Sequence, residues 1–357
     1  MGVSGLLKPV GPFDIPLLRK LQSQGVQLDP KRMLTRPQSP LSVALRAPLS
    51  LHQPFAYTYL AQLDRPDSSP VGALQLRCRR PDSSEADVTF VAPALDTDPT
   101  VSQLWNVLLN EVCWEAGRNG VQRVFASLPA DSGAVVPFLN AGFVVFAQEE
   151  LLRHDLARLS PRSSAISLRL QRDVDVWSLQ RLYAAIVPLG VKQAEGVNGL
   201  DGTQNRTPAS TSGVDRQSYV MEQRGEIVGH VEITRGRVGD WIHFAVHPGA
   251  REQMEELVEV GLALLNVGES RPVYTNVRTY ESIVKSALVA NGFGTYDRRA
   301  LAVRQTLARV RELALAGVPV LEHTAGASAT LPLVRLRRGT QQGQCPRHGF
   351  KTGSSEH

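Results

Sequence analysis

The sequence has few cysteines and no pattern that would pair them. Cys78, Cys113 and Cys345 are the only three among 357 residues, and they stand far apart. An odd, sparse set argues against a disulfide framework. Cys345 and His348 form one C-x-x-H pair, and two ligands alone do not complete a tetrahedral zinc site. We therefore expect neither a disulfide-stapled scaffold nor a bound metal.

Long apolar runs are also missing. The longest, such as residues 313–321, reach about half the length that a membrane-spanning helix needs. Pro9, Pro12 and Pro16 interrupt the segment in which a signal peptide would carry its apolar core. The sequence predicts a cytoplasmic protein with no membrane partner.

Lysine is scarce, and positive charge is concentrated at one end of the chain. There are 39 Lys and Arg against 34 Asp and Glu, which gives a net charge of +5. Residues 311–357 hold six basic and three acidic side chains, or +3, which leaves +2 for residues 1–310. The body is too balanced to indicate a nucleic-acid surface. We expect the basic tail to be flexible and nucleic acid not to be a partner.

What the chain does contain is an internal repeat. Three landmarks occur twice in the same order: a glycine before an alternating strand, a proline after a later strand and a Gly-Phe pair. Gly72, Pro93 and Gly142 of the first stretch recur as Gly229, Pro248 and Gly292 of the second stretch. The three offsets are 157, 155 and 150 residues, so the spacing drifts only by the length of a loop. Such self-similarity predicts two copies of one structural unit.

Within each copy the apolar pattern changes in a fixed order. In the first copy, residues 55–63 and 71–78 alternate like a strand hairpin, and residues 88–91 form a third strand. Residues 104–118 show the spacing of an amphipathic helix, and residues 135–140 form a second helix before Gly142. Antiparallel hairpins followed by helices between strands are typical of an α+β unit.

This order resembles the GNAT (GCN5-related N-acetyltransferase) superfamily. The motifs that carry the resemblance are Val91-Ala92-Pro93 with Gly142-Phe143, and Val246-His247-Pro248 with Gly292-Phe293. It implies an α+β fold, a tandem duplication of a GNAT-like mixed sheet flanked by helices. The implied organisation is one GNAT-like domain over residues 1–159, a second over 160–310 and a flexible tail over 311–357, with a polar linker near residues 160–164.

The resemblance also implies a cofactor, acetyl-CoA or another acyl-CoA. In the family, the amides of the strand end hold the acyl part, and a glycine-rich loop at a helix N-terminus holds the pyrophosphate. In the second copy the matching positions are Val246, His247, Pro248 and Arg251, but Glu252 and Met254 replace the two loop glycines. The first copy has neither glycine nor base after Pro93. The alternative explanation for the acidic residues after Pro248 is that they stabilise the helix dipole in its first turn. We expect any cofactor binding in the second copy only. Glycine at positions 252 and 254 should tighten that binding.

Acyl transfer needs a base for the amine and an acid for the departing thiolate. The family's tyrosine acid is absent, because Phe138 and Leu288 stand at its positions. Asp240 is the candidate base, six residues before Val246, and Tyr280 is a second candidate catalytic residue, which could reach the cleft from the C-terminal end of the next strand. Asp240 has the alternative of a solvated turn residue and Tyr280 that of a packing tyrosine. Other candidates with ordinary structural explanations are Glu85, Glu222, Glu232, His243, His247 and Tyr274.

Three functions therefore stay open, of which the least favoured is a nucleic-acid binder that uses the basic tail. Of the two others, one is an acyl-CoA-dependent N-acyltransferase that acts on a small-molecule or peptide amine, with its activity in the second copy. The other is a catalytically silent tandem GNAT protein that serves as a binding or scaffold module. The glycine-rich segment 192–217 is predicted to be a flexible loop beside the acceptor side of the cleft, either a lid or a tolerated insertion.

Overall fold

Two stretches of chain repeat one order of strands and helices, as the sequence predicts. The computed structural model describes residues 5–46, 56–63, 71–79, 84–94, 99–155, 166–196, 215–265 and 271–306, all of them in the unit that ends at Arg309. The predicted linker at 160–164, loop residues 197–214 and the tail from residue 311 lie outside the described residues. The predictions made for them stay predictions.

We call the repeats the N-terminal half (residues 5–155) and the C-terminal half (residues 166–306). The elements of the N-terminal half are β1 Gly5–Pro9, α1 Ile15–Gln22, β2 Val26–Gln27, α2 Pro30–Thr35, α3 Pro40–Arg46, β3 Ala56–Leu63, β4 Val71–Cys78, β5 Glu85–Ala92, α4 Pro99–Arg118, β6 Arg123–Pro129, α5 Val135–Asn140 and β7 Val144–Asp155. Those of the C-terminal half are β8 Leu168–Leu170, α6 Val176–Ile186, α7 Leu189–Glu195, β9 Asp215–Gln223, β10 Glu226–Arg235, β11 Asp240–Val246, α8 Met254–Ala263, β12 Pro272–Arg278, α9 Ser282–Ala290 and β13 Gly294–Gln305. A 3-10 turn, Pro248–Gln253, precedes α8.

The repeated Gly-Phe landmark is a helix ending. Gly142 follows α5 with φ +82° and Gly292 follows α9 with φ +87°, a conformation that glycine adopts without strain. Phe143 and Phe293 come next and are buried in the two apolar cores. The landmark therefore stops each helix and fixes the chain to the core before the last strand of the half.

Each half packs one face of its strands against its own helices. In the C-terminal half, Ile242 and Phe244 of β11 belong to the core that α8 and α9 cover. In the N-terminal half, the apolar stripe of α4 covers β4 to β6 in the same way. Because strand side chains alternate, the opposite face carries different residues, among them Trp241 and His243.

The two halves share one mixed sheet and exchange their last strands. The strand order is β1-β3-β4-β5-β6-β13-β7-β12-β11-β10-β9-β8, with β2 paired to β5. Strand β13 pairs antiparallel with β6, and β7 pairs antiparallel with β12. The order is the same from either end of the sheet, so the halves are related by a pseudo-twofold axis between β7 and β13. Each half completes its sheet with a strand from the other half.

At this axis, matching positions of the two copies meet. Glu149 of β7 stands opposite Arg299 of β13 in the strand register, and both are buried. Arg299 donates to the Ser127 carbonyl at 2.7 Å, and Glu149 accepts from the Asn276 amide at 2.9 Å. Each exchanged strand is thus hydrogen-bonded through its side chain to the half that it enters.

Helix α2 forms a second connection between the halves. Lys31 reaches Glu232 of β10 at 3.1 Å, and Arg36 donates to the Arg235 carbonyl at 3.0 Å. The carbonyl of Thr35 accepts from the amides of residues 237 and 238 in the hairpin turn after β10. The N-terminal half therefore covers part of the cavity-facing surface of the C-terminal half.

The strand exchange predicts that neither half folds alone. Residues 1–159 lack β13, so β6 keeps β5 but loses its other neighbour, and β7 has no partner within its own half. We expect this fragment to give no cooperative thermal transition as a monomer and to recover one when it is co-expressed with residues 160–309. Size-exclusion chromatography with circular dichroism melting measures both. A monomeric 1–159 fragment with a sharp transition would contradict the prediction.

Candidate functional site

A cavity of about 470 Å³ lies on the sheet face opposite the covering helices. Both halves line it, the N-terminal half through α2, β4, β5 and β6, and the C-terminal half through α6, β10, β11 and β12. Its wall is mixed, with charged side chains from the strands and apolar side chains from α6. Among the described residues, no group of three or more His, Cys, Asp or Glu is placed to hold a metal ion. No helix of the described part is long and apolar enough to cross a membrane.

In the C-terminal half, two parallel strands separate and open toward this cavity. Strand β11 pairs with β12 only at Asp240 and Trp241, opposite Val273 and Tyr274. Beyond that point the strands have no further pairs. His243 of β11 and Asn276 and Arg278 of β12 line the cavity from the separated segments. We call this opening the C-terminal wedge.

The matching wedge of the N-terminal half is occupied by its own side chains. Strands β5 and β6 pair as far as Asp87 and Phe125. Arg79 makes three hydrogen bonds to the Asp87 carboxylate, at 3.2, 3.0 and 2.9 Å, and its guanidinium carbon lies 3.8 Å from the centre of the Phe125 ring. Arg79 therefore bridges β5 and β6 at the point where they begin to separate. The candidate base Glu85 is buried beside it in an ion pair with Arg123 at 3.2 Å.

A chain of hydrogen bonds connects the end of β12 to α6 and α7. Arg278 donates to the Tyr280 hydroxyl at 2.9 Å and forms an ion pair with Glu195. Glu195 also accepts from the Tyr183 hydroxyl at 2.6 Å. Burial is the main cause that raises the pKa of Tyr280, to about 12, so this phenol is protonated at neutral pH. Its oxygen accepts from Arg278, which leaves its hydrogen for an acceptor in the cavity.

Two histidines on neighbouring strands face the same cavity. Burial lowers the pKa of His243, so its imidazole is neutral at pH 7 and available to accept a proton. Burial also lowers the pKa of His230, to about 4, and only 2% of this residue is exposed. Its Nε2 atom has no hydrogen-bond partner among the described residues. Next to them, Glu232 is held ionised by Lys31 and Arg216, which outweigh the effect of its burial on its pKa.

The structure separates the two predicted catalytic residues. Tyr280 is half-buried and lines the cavity. Asp240 lies at the start of β11, 6% exposed, where its Oδ1 accepts from the Gly236 amide at 3.0 Å. That bond closes the hairpin turn between β10 and β11, and Asp240 is not among the residues that line the cavity. The Asp240 carboxylate therefore holds the hairpin turn and does not face the cavity.

The predicted cofactor residues lie at the far end of β11. Val246 is buried at the strand end, and His247 accepts from the Gly249 amide at 3.1 Å through Nδ1. One of the free amides expected to hold an anion is therefore already bonded. Arg251 and Glu252 are exposed, but Met254 is 1% exposed within the core. Met254, at the second loop-glycine position, therefore belongs to the same apolar core as Ile242 and Phe244 of β11.

Sequence reasoning missed the residues that reach this site from a distance. Lys31 and Glu149 belong to the N-terminal half, and Glu195 ends α7. Each lines the cavity because of strand exchange or helix docking. No local motif marks these positions, since the contacts depend on elements more than 80 residues away, as in the pair of Lys31 with Glu232. The half-to-half repeat was the only signal that pointed to such pairing.

The buried His230 predicts how stability depends on pH. Its pKa is near 6.5 in an unfolded chain and about 4 in the folded one, so between these values the unfolded state binds more protons. Stability therefore falls as the pH is lowered from 6.5 toward 4. We expect the free energy of unfolding of the parent to fall between pH 7.5 and 4.5 by roughly 2 kcal/mol more than that of His230→Gln. The estimate follows because a tenfold change in proton affinity corresponds to about 1.4 kcal/mol. Urea unfolding at both pH values measures this, and equal losses in the two proteins would refute it.

No family model matches the chain, and no curated protein sequence matches it. Solved structures do resemble it. A GCN5-related N-acetyltransferase from Sphaerobacter thermophilus is 14% identical, covers 85% of this chain and 96% of its own, and has a TM-score of 0.48. A tandem GNAT protein from the clavulanic acid biosynthesis pathway is 16% identical, covers 85% and 99%, and has a TM-score of 0.47. These values carry nothing about activity. The strand order of the chain itself shows that the described part is a tandem α+β fold, in which two copies of one unit share a mixed sheet.

Proposed function

We propose that the protein is an acyl-CoA-dependent N-acyltransferase with one reaction centre, in the C-terminal wedge. The observation that supports this most is the difference between the two wedges. Strands β11 and β12 separate after Trp241 and present polar side chains to a cavity, whereas Arg79 bridges the matching strands of the N-terminal half. Acetyl transfer to an amine is the simplest reaction of this kind.

His243 and Tyr280 have the protonation states that the reaction needs. The neutral His243 imidazole takes a proton from the attacking amine. Acyl-CoA supplies the thioester carbonyl carbon, to which the amine nitrogen bonds while the carbon–sulfur bond breaks. Tyr280 gives its hydroxyl proton to the departing sulfur, and Arg278 stabilises the phenolate that remains. This assigns the base to His243 in place of Asp240, whose carboxylate closes a turn.

The residues that would hold acyl-CoA are those at the open end of β11. Val246 ends β11 and Pro248 begins the 3-10 turn that follows it, and the exposed Arg251 in that turn carries a guanidinium for a phosphate. This cradle is weaker than a glycine-rich loop, because His247 already bonds the Gly249 amide and Met254 is part of the core. The same facts favour the second candidate function, a GNAT-type binding module without acyl transfer.

Acyl transfer should depend on Tyr280 and His243. We expect Tyr280→Phe and His243→Gln each to lower kcat by about 10²- to 10⁴-fold with acetyl-CoA and a panel of amines, the range for a positioned acid or base. Tyr296→Phe is the matched control, because Tyr296 is 45% exposed and does not line the cavity. The parent rate should fall in acid as His243 gains a proton, at a pH below the ordinary range of histidine because burial lowers the pKa of His243. A parent with no turnover, or variants with unchanged turnover, would favour the binding module.

Cofactor affinity should depend on Glu252 rather than on Met254. The sequence analysis predicts that glycine at both positions tightens cofactor binding. Met254 lies in the core, however, so Met254→Gly should lower the free energy of unfolding by at least the roughly 2–5 kcal/mol of a Met→Ala change. Glu252 is exposed, so Glu252→Gly removes a carboxylate beside the phosphate path without touching the core. We expect about tenfold tighter binding of acetyl-CoA by isothermal titration, and a smaller gain for Glu252→Gln, which removes the charge alone. Unchanged affinity in both variants would rule out this path for the pyrophosphate.

A further inference from the structure

Most charged side chains of the cavity neutralise one another. Glu232 pairs with Lys31 and Arg216, Arg278 pairs with Glu195, and Arg79 pairs with Asp87. Three lining residues differ: Arg77, Glu149 and Glu281 form no ion pair within 4 Å among the described residues. They are not distributed evenly, since the guanidinium belongs to β4 and the two carboxylates lie at or beside the C-terminal wedge.

Arg77 provides a basic end to the cavity. It is half-buried, and its one hydrogen bond within the described part is to the neutral Gln38 amide, at 3.1 Å. Burial is the main cause that lowers its pKa, to about 10; the nearby Arg32 acts in the same direction, and the carboxylates of Asp29 and Asp87 oppose it. Neither carboxylate forms an ion pair with Arg77 within 4 Å among the described residues, since Asp29 pairs with Arg32 and Asp87 with Arg79. An anion that forms two parallel hydrogen bonds with the Arg77 guanidinium therefore lowers the remaining cost of its burial.

Glu149 and Glu281 provide an acidic end. Glu281 accepts from the Arg278 backbone amide at 2.8 Å and lies close enough to His243 to oppose the effect of burial on its pKa. Glu149 is buried and accepts from the Asn276 amide at 2.9 Å. Two carboxylates beside the neutral His243 favour a cationic or hydrogen-bond-donating group at this place, such as an amine.

Two further features of the wall indicate a ligand between these ends. The Nε2 atom of His230 is buried, faces this lining and lacks a partner within the described part of the chain. A ligand with a polar group would satisfy it. Opposite the strands, α6 contributes an apolar surface from Leu179, Leu182 and Ile186. The cavity thus combines a basic end, an acidic end and an apolar side.

We infer that the cavity binds an amine that also carries a carboxylate, an amino acid or short peptide with an apolar side chain. Its amine lies against Glu281 and His243 in the C-terminal half, and its carboxylate lies at Arg77 in the N-terminal half. The identity of the amine as an acyl acceptor rests on the proposed function, but the binding of the carboxylate does not. The N-terminal half therefore selects the ligand on which the C-terminal half acts.

Two matched pairs of ligands test this without any acyl donor, so a failure of acyl transfer would not affect the result. L-leucine is compared with L-leucinamide, and L-leucyl-L-leucine with its C-terminal amide, by isothermal titration to the full chain. The free carboxylate should improve affinity at least about tenfold in one or both pairs, as a charge-assisted bond does. Arg77→Gln should abolish this preference, and Arg181→Gln, an exposed side chain outside the cavity, should keep it.

Glu281→Gln tests the other end. It keeps an oxygen to accept from the Arg278 amide, so the fold is preserved, and it should weaken binding of both members of a pair alike. Melting temperatures of all variants check that they are folded. The inference is overturned if the amides bind as tightly as the acids in both pairs, if none of the four ligands binds at millimolar concentration, or if Arg77→Gln leaves the preference intact.

Discussion

The pairing of β7 with β13 is the contact on which the rest of the structure depends. Each strand ends one half of the chain and completes the sheet of the other half. The sheet is therefore continuous through the pseudo-twofold axis, and the core of each half is closed by a strand that arrives from far along the sequence. Glu149 reaches the C-terminal wedge only through this exchange, and Arg299 reaches Ser127 in the same way. Stability and site assembly are thus properties of the pair of halves.

Given two equivalent wedges, the sequence has used them differently. Arg79 and Phe125 bridge the N-terminal strands, and Glu85 is neutralised by Arg123. The C-terminal strands have no such bridge at the matching place: His243 of β11 lines the cavity, and Arg278 of β12 pairs with Glu195 of α7 rather than with β11. With its own wedge bridged, the N-terminal half contributes instead through α2 and β4, which form the opposite wall of the cavity. One copy thus carries the candidate chemistry and the other shapes the site around it.

Local sequence patterns predicted the helices and strands well. They did not predict the site residues whose positions depend on contacts between distant segments. The helix predicted at residues 135–140 is α5, and the hairpin predicted at 55–63 and 71–78 is β3 and β4, because capping, alternation and apolar spacing are properties of neighbouring residues. Tyr280 was found from its place after a strand. Asp240 was a candidate base from its spacing, with a solvated turn residue as the alternative, and the structure places it in a turn, where its buried carboxylate accepts from the Gly236 amide. Glu149 and the buried Met254 depend on packing between distant segments, which no motif in a single sequence records.

The most direct test of this account is the number and place of acyl-CoA molecules that the chain binds. Native mass spectrometry with acetyl-CoA should show one molecule per chain at saturation. Hydrogen exchange of the same complex should show protection at residues 243–251 of the C-terminal half and none at the matching residues 88–94. Two bound molecules, protection confined to the N-terminal half, or no binding at all would contradict the claim that the C-terminal wedge is the single open site.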